Sequence, residues 1–190
     1  MRAAAASVTI AFLAVLVLAA DQFTKNLALR DLPYQESVAV WGEFLQFYLT
    51  RNPGAAFSLG EGVTWVFTIV LAAAAAFIVV LAVTRVRSRW WAVILGLLLG
   101  GILGNLTDRL VREPGFPVGH VIDFIHTPWM MPAIYNVADI FIVSMMISVA
   151  ILVLVGLRLD GTRESRAQET EEPTIDDTPP TVDDTPAAQG

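Results

Sequence analysis

The chain has 190 residues, of which 55% are apolar and 16% are charged, and its formal net charge is −6. A soluble domain normally carries about 25% charged residues, so this composition disfavours one. There is no cysteine, which excludes disulfide bridges, cysteine-ligated zinc and a thiol nucleophile. The sequence has no basic patch of the kind that binds nucleic acid, so we expect no nucleic-acid partner.

The apolar residues are concentrated in four blocks that contain no charge. These blocks cover residues 3–20, 63–84, 90–107 and 140–157, and they hold 18, 22, 18 and 18 residues. About 20 apolar residues span the hydrocarbon core of a bilayer. The sequence therefore predicts an all-α membrane protein with four transmembrane helices, at about residues 7–29, 62–84, 90–109 and 137–158, within a membrane domain that covers residues 1–159.

The first block also resembles a cleavable signal peptide, because Arg2 precedes an apolar run that ends in Leu-Ala-Ala. However, the helical pattern does not stop there. Asp21 and Lys25 follow at i and i+4, so they lie on one helical face and can pair. We interpret this segment as a retained first helix.

The connection over residues 30–61 carries two β-prone runs, 38–41 and 44–49, around the turn signal Gly42-Glu43. This pattern predicts a small extracytoplasmic β-hairpin or cradle. The connection closes with Asn52 before a Pro53-Gly54 turn. Taken alone, that turn is a common structural feature.

The connection over residues 85–89 is short and holds three arginines, which favours a cytoplasmic location. Four alternating helices then place both termini in the cytoplasm and the connections 30–61 and 110–136 outside. Residues 160–190 hold nine acids and two arginines, with almost no residue to bury. We interpret them as a disordered acidic cytoplasmic tail.

The third helix carries Gly96, Gly100 and Gly104 at every fourth position, with Gly101 beside them, a pattern typical of close helix packing in lipid. Three polar residues lie at the predicted outer end of this helix, with spacings of three and four positions from the first that favour a common face. They are Asn105, Asp108 and Arg109. Charge at this depth is costly unless it is paired or functional. The alternative is a terminal Asp108–Arg109 ion pair among the headgroups.

Two further acids lie at the second outer connection. Asp123 lies in a Val-Ile-Asp-Phe run, and Asp139 is the last charge before residues 140–157. Asn136 precedes Asp139 by three positions, so both face the same way as the fourth helix begins. Two carboxylates that share one proton can activate water and polarise a peptide carbonyl, as in an aspartic protease. His120 and His126 flank Asp123, and a metal site there would need a further ligand.

The chain resembles the lipoprotein signal peptidases, also called signal peptidase II, over roughly residues 7–157. The resemblance rests on five motifs in order, at residues 21–25, 52–57, 100–109, 121–124 and 136–139. Tyr135 stands where the family usually has phenylalanine.

The resemblance implies a bacterial inner-membrane aspartic protease that cuts prolipoprotein signal peptides before a diacylglyceryl-modified cysteine. It implies Asp123 and Asp139 as the catalytic pair, no metal or cofactor, membrane lipids as surroundings, and inhibition by the cyclic depsipeptide globomycin. The substrate-binding or supporting residues that it implies are Asn52, Gly54, Asn105, Arg109, Asn136, Asp21 and Lys25.

Three other classes remain open from the residues alone. A proton-coupled transporter would also use intramembrane acids, but it tends to show inverted repeats and midplane breaks, and neither is visible. A metal-dependent membrane hydrolase would lose activity with chelators. A non-catalytic scaffold would tolerate substitution of either acid.

Overall fold

The structure is a computed structural model that describes residues 1–54 and 64–163. The predicted acidic tail, apart from its first four residues, lies outside the described residues. Residues 55–57 of the motif that begins at Asn52 also lie outside them.

Four helices form the body of the protein, and all four are long and apolar enough to cross a membrane. They are α1 (Ala3–Asp31), α2 (Thr64–Thr84), α3 (Arg89–Val111) and α4 (Val137–Leu154). The prediction of four membrane helices is confirmed. The ends of α1 and α3 extend slightly beyond their predicted limits, and residues 62 and 63 of the predicted second helix lie outside the part of the chain that is described.

The predicted end of α4 at residue 158 is wrong, because the helix ends at Leu154. Gly156 adopts a positive φ of 68°, a conformation that stops an α-helix and that glycine adopts without strain. The backbone N–H of Leu157 then donates to the carbonyl of Leu152 at 2.9 Å, which satisfies one of the last helical carbonyls. The apolar run continues past this point, so hydropathy alone does not mark the end.

The central helix is α3, whose most apolar 18-residue window is 67% buried inside the protein, against 6–22% for the other three helices. A Cβ added at Gly100 would lie 2.6 Å from the Cβ of Val17 on α1, and one added at Gly101 would lie 2.7 Å from the carbonyl oxygen of Ala138 on α4. The glycines therefore let two helices approach two faces of α3, as the glycine spacing predicted.

A four-stranded antiparallel sheet lies at one end of the bundle, in the order β1 (Ser37–Trp41), β2 (Leu45–Asn52), β3 (Val121–His126) and β4 (Ile134–Tyr135). The β1–β2 hairpin confirms the predicted cradle. The sheet is larger than predicted, because β2 also pairs with β3 and thereby joins the two long connections. A small apolar cluster of Ala28, Leu49, Ile122 and Phe124 holds this sheet against the end of α1.

Candidate active site

Asp123 lies on β3 with only 2% of its surface exposed. Its register opposite Thr50 places it two residue pairs away from the end of β2, where Asn52 lies. The side-chain amide of Asn52 donates to Asp123 Oδ2 at 2.8 Å, and the amide of Asn136 donates to Asp123 Oδ1 at 2.6 Å. Both oxygens of this buried carboxyl group therefore have a partner.

Asp139 lies in the first turn of α4, where it forms a capping box with Asn136. The backbone N–H of Asp139 donates to Asn136 Oδ1 at 3.1 Å, and the backbone N–H of Asn136 donates to Asp139 Oδ2 at 3.1 Å. Its other oxygen accepts from Asn105 Nδ2 at 2.8 Å. The prediction that Asn136 and Asp139 face the same way is confirmed, because the two residues form the two halves of this capping box.

Asn136 therefore joins two acids that are sixteen residues apart in the sequence. It is fully buried, it binds Asp123 through its side-chain amide, and it binds Asp139 through its side-chain oxygen and its backbone. We call Asp123 and Asp139 the acid pair.

A buried ionic cluster lies next to the acid pair and is connected to it through Asn105. Lys25 Nζ lies 2.8 Å from Asp21 Oδ2, 2.8 Å from Asp108 Oδ2 and 2.9 Å from Asn105 Oδ1. The side chains of Lys25, Asp21 and Asp108 are all fully buried. The three N–H groups of the ammonium thus each have an acceptor, which offsets the cost of burying its charge.

The ionic cluster also holds the backbone beside each member of the acid pair. Asp21 Oδ1 accepts the backbone N–H of Ala138, the residue before Asp139, at 2.9 Å. Asp108 Oδ2 accepts the backbone N–H of Ile122, the residue before Asp123, at 3.2 Å. Lys25 lies between these two carboxylates, so it links the positions of both acids.

The alternative of a terminal Asp108–Arg109 ion pair is wrong. Asp108 pairs with Lys25 and with Arg112, whose Nε lies 2.6 Å from Asp108 Oδ1. Adjacent residues on a helix point in different directions, whereas Asp108 and Arg112 are related by i and i+4. Arg112 and Gln22, which donates to Asp108 Oδ1 at 3.0 Å, are site residues that the sequence analysis missed. The i, i+4 spacing was the available signal for Arg112.

Arg109 donates its hydrogen bonds to the turn after Asn52 rather than to the acid pair, although its charge interacts with those of Asp123 and Asp108. Its Nη1 donates to the carbonyls of Pro53 and Gly119, each at 3.3 Å, and its guanidinium lies 5.5 Å from the centre of the Phe67 ring. A Cβ added at Gly54, where φ is 93°, would lie 2.8 Å from Arg109 Nη2. Any other residue here would be strained at this φ, and its Cβ would displace the side chains of Arg109 and Phe67.

The environment of Asp123 changes its acidity. Burial raises the pKa of this carboxyl group, and the neighbouring charge of Asp139 raises it further. The hydrogen bonds from Asn52 and Asn136 and the charge of Lys25 act in the opposite direction, and the resulting pKa is about 7. The group therefore titrates near neutral pH.

Within the part of the chain that the structure describes, His120 and His126 do not form a metal site with Asp123. Across residues 1–54 and 64–163, no three histidine, cysteine, aspartate or glutamate side chains converge closely enough to hold a metal ion. His126 is the last residue of β3, where its ring contacts Tyr48 with 6.4 Å between the ring centres.

Comparisons with known proteins identify the family. A family model described as signal peptidase (SPase) II matches residues 13–157. A lipoprotein signal peptidase of Leifsonia xyli subsp. xyli is 50% identical over 159 residues, which are 84% of this chain and 73% of that protein. A lipoprotein signal peptidase of Rhodococcus jostii is 45% identical over 156 residues, which are 80% of this chain and 75% of that protein.

Solved structures agree with the sequence comparisons. Two structures described as bacterial membrane enzymes are 29% identical to this chain, with TM-scores of 0.67 and 0.68. They cover 77% of this chain, and the match spans 87% and 92% of theirs. Since the family model covers most of the chain and both relatives exceed 40% identity, the chain belongs to the signal peptidase II family.

Proposed function

We propose that this chain is an intramembrane aspartic endopeptidase that removes the signal peptide of prolipoproteins by cutting before the diacylglyceryl-modified cysteine. Membership of the signal peptidase II family supports the peptidase activity and the prolipoprotein substrate. The observation that carries the aspartic mechanism is the attachment of Asp123 and Asp139 to the same Asn136. This arrangement brings two carboxyl groups to one shared side chain, and a pair of neighbouring carboxyl groups is what the chemistry requires.

The acid pair carries one proton in the working enzyme. Like charges on adjacent buried carboxyl groups oppose each other, so the second ionisation of such a pair is held back. The pKa of about 7 at Asp123 keeps that proton available near neutral pH. The ionised carboxylate takes a proton from water, and the protonated group donates a hydrogen bond to the scissile carbonyl.

The charge balance of the surrounding side chains supports a single shared proton. The ionic cluster and the acid pair, together with the neighbouring Arg109 and Arg112 whose charges act on them, hold four carboxylates and three cations, a net charge of −1 when all are ionised. The members are Asp21, Asp108, Asp123 and Asp139 against Lys25, Arg109 and Arg112. One proton on the acid pair makes this region neutral, which is the least costly state at the edge of a membrane.

The position of the acid pair suits a substrate delivered by the lipid. Asp139 is half-buried at the mouth of α4, at the depth where an apolar leader helix would leave the hydrocarbon. The β1–β2 hairpin beside it exposes Trp41 and Phe44, and Phe44 stacks on Trp129 with 4.7 Å between ring centres. Exposed aromatic side chains of this kind lie at membrane interfaces. We place this hairpin on the outer surface of the membrane, with both termini in the cytoplasm.

Purified protein incubated with a diacylated prolipoprotein tests this function, with mass spectrometry of the products to locate the cut. We expect a single new amino terminus at the lipid-modified cysteine, suppression by globomycin, and unchanged activity in the presence of chelators. Cleavage at another position would reject the proposed site of cutting, and loss of activity with chelators would reject the aspartic mechanism.

A further inference from the structure

Six arginines gather at the end of the helix bundle that is remote from the acid pair. Arg89 begins α3 and Asn105 of the acid-pair region lies sixteen residues later, which is about 24 Å along a helix axis. This end therefore lies near the opposite face of the membrane. We call it the arginine end, and its cations are Arg2, Arg85, Arg87, Arg89, Arg158 and Arg163.

These cations have little negative charge around them in the structure. The five ion pairs of the described residues use Lys25, Arg30, Arg51 and Arg112, and none uses an arginine of this end. The described carboxylate at this end is Asp160, whose Oδ1 is already bound by the backbone N–H and the hydroxyl of Thr162 at 2.8 and 2.7 Å. Among the described residues, the arginine end thus carries six cations and one carboxylate, a clear excess of positive charge.

A cavity of about 680 Å³ opens among these cations. Its polar lining includes Arg87, Arg89 and Arg163, with the ring of Trp90, and also the single carboxylate of Asp160. The guanidinium of Arg89 lies 5.7 Å from the centre of the Trp90 ring, and that ring is 58% exposed. The cavity therefore combines a charged wall with an aromatic side chain of the type that lies at headgroup depth.

Another part of the cavity lining is apolar. Leu152 and Val155 at the end of α4 line it together with Leu157. Leu154 beside them is 84% exposed, so the apolar surface continues outward along α4. A cationic wall that meets an apolar wall at the membrane boundary matches a ligand with an anionic head and hydrocarbon chains.

We propose that this cavity is a binding site for an anionic glycerophospholipid, with its phosphate between Arg89 and Arg163 and its acyl chains along the end of α4. Arginine binds phosphate through two parallel N–H donors, which favours it over a diffuse surface charge. Basic pockets at helix ends on the cytoplasmic side of membrane proteins are typical sites for such headgroups. The site lies apart from the acid pair, so its existence does not depend on the proposed peptidase mechanism.

A pair of charge-matched variants tests the site in the purified full chain. The cavity variant is Arg89→Gln/Arg163→Gln, and the control variant is Arg2→Gln/Arg85→Gln, which removes the same charge from the same end but outside the charged wall. Native mass spectrometry gives the dissociation constant for phosphatidylglycerol and for phosphatidylcholine. Each arginine near an anionic surface strengthens binding by about fivefold, so the cavity variant should bind phosphatidylglycerol about thirtyfold more weakly.

The control variant should weaken binding by less than about threefold, and phosphatidylcholine should bind weakly to all forms, since its headgroup has no net charge. Equal losses in both variants would overturn the proposal, because they would show a general charge effect. Inorganic phosphate that competes as well as phosphatidylglycerol would overturn the lipid assignment. The wild-type dissociation constant should also rise with salt, and a salt-independent value would contradict the phosphate contact.

The acidic tail of the same chain is a competing occupant, because residues 164–190 hold eight acids and one arginine. A variant in which these eight carboxylates are replaced by amides distinguishes a lipid occupant from occupation of the cavity by the tail. The lipid site predicts phosphatidylglycerol binding by the unmodified chain. Binding that is seen only after the tail is neutralised would assign the cavity to the tail and overturn the proposal.

Discussion

Lys25 fixes the direction in which Asn105 presents its amide to the acid pair. Lys25 Nζ donates to Asn105 Oδ1 at 2.9 Å, and Asn105 Nδ2 donates to Asp139 Oδ1 at 2.8 Å. An ammonium group can only donate hydrogen bonds, so the oxygen of Asn105 must face it and the NH₂ group must face Asp139. A residue on α1 thereby orients a donor on α3 toward an acid on α4.

Replacing Lys25 by methionine should destabilise the protein by about 3–5 kcal/mol, because it leaves Asp21 and Asp108 buried without their shared cation. Thermal unfolding in detergent measures this loss. The double variant Lys25→Met/Asp21→Asn should recover part of it, since Asp108 keeps its pair with Arg112. A double variant less stable than the single one would contradict a cluster held by opposite charges.

Two substitutions of Asn136 separate its cap from its bridge between the acids. Serine can still cap α4, whereas alanine cannot, so Asn136→Ser should be more stable than Asn136→Ala by about 1 kcal/mol. Both lose the amide that donates to Asp123, so cleavage should fall about 100-fold or more in each. If Asn136→Ser instead cleaved at nearly the wild-type rate and only Asn136→Ala lost activity, the amide bridge between the two acids would have no role in the mechanism.

Gly54→Ala should reduce both stability and cleavage, because its Cβ would lie 2.8 Å from Arg109 Nη2 and from the Phe67 ring. Gly42→Ala is the matched control, since Gly42 also has a positive φ but has nothing within 4 Å of the added atom. The control should show only the backbone strain of about 1–2 kcal/mol and normal cleavage. Equal loss of cleavage in both variants would show that the turn after Asn52 has no special role.

The raised pKa of Asp123 predicts the pH dependence of stability. Below about pH 4 this group is protonated in both the folded and the unfolded chain, so it does not make the free energy of unfolding depend on pH. Between about pH 4 and its folded pKa of about 7 the unfolded chain loses the proton first, so stability falls as pH rises. The loss should reach up to about 4 kcal/mol and level off above pH 7.

Asp123→Asn removes this titration, so the stability of the variant relative to wild type should improve between pH 5 and pH 8. Unfolding midpoints of both proteins over this range measure the difference. The informative quantity is the change of the unfolding midpoint with pH rather than its value at one pH, because the amide also alters the hydrogen bonds from Asn52 and Asn136. Parallel pH curves for the two proteins would contradict a raised pKa at Asp123.

The features predicted correctly from sequence depend on local spacing. Apolar length gave the four helices, and the i, i+4 relation of Asp21 and Lys25 gave their ion pair. The i, i+3 relation of Asn136 and Asp139 gave their common face. Each depends on the geometry of a single helix, which is independent of the rest of the fold.

The features that were missed depend on contacts between distant segments. The pairing of Thr50 with Asp123 joins two connections that are separated by α2 and α3, and short strands carry weak local signals for such partners. The interaction of Lys25 with Asp108 likewise joins α1 to α3, although Arg109 was the nearer cation in the sequence. Arg109 itself contacts Pro53 and Gly119 on two separate connections, which its helical position does not indicate.

The most direct test measures the initial rate at which Asp123→Asn and Asp139→Asn cleave a diacylated prolipoprotein, with Asp31→Asn as the control. Asp31 is an exposed carboxylate outside the acid pair, so its amide variant should cleave at the wild-type rate. Each acid-pair variant should lose about 1,000-fold or more in rate while it remains folded in the membrane. A folded Asp123→Asn or Asp139→Asn protein with near-normal turnover would contradict catalysis by a proton shared between these two side chains.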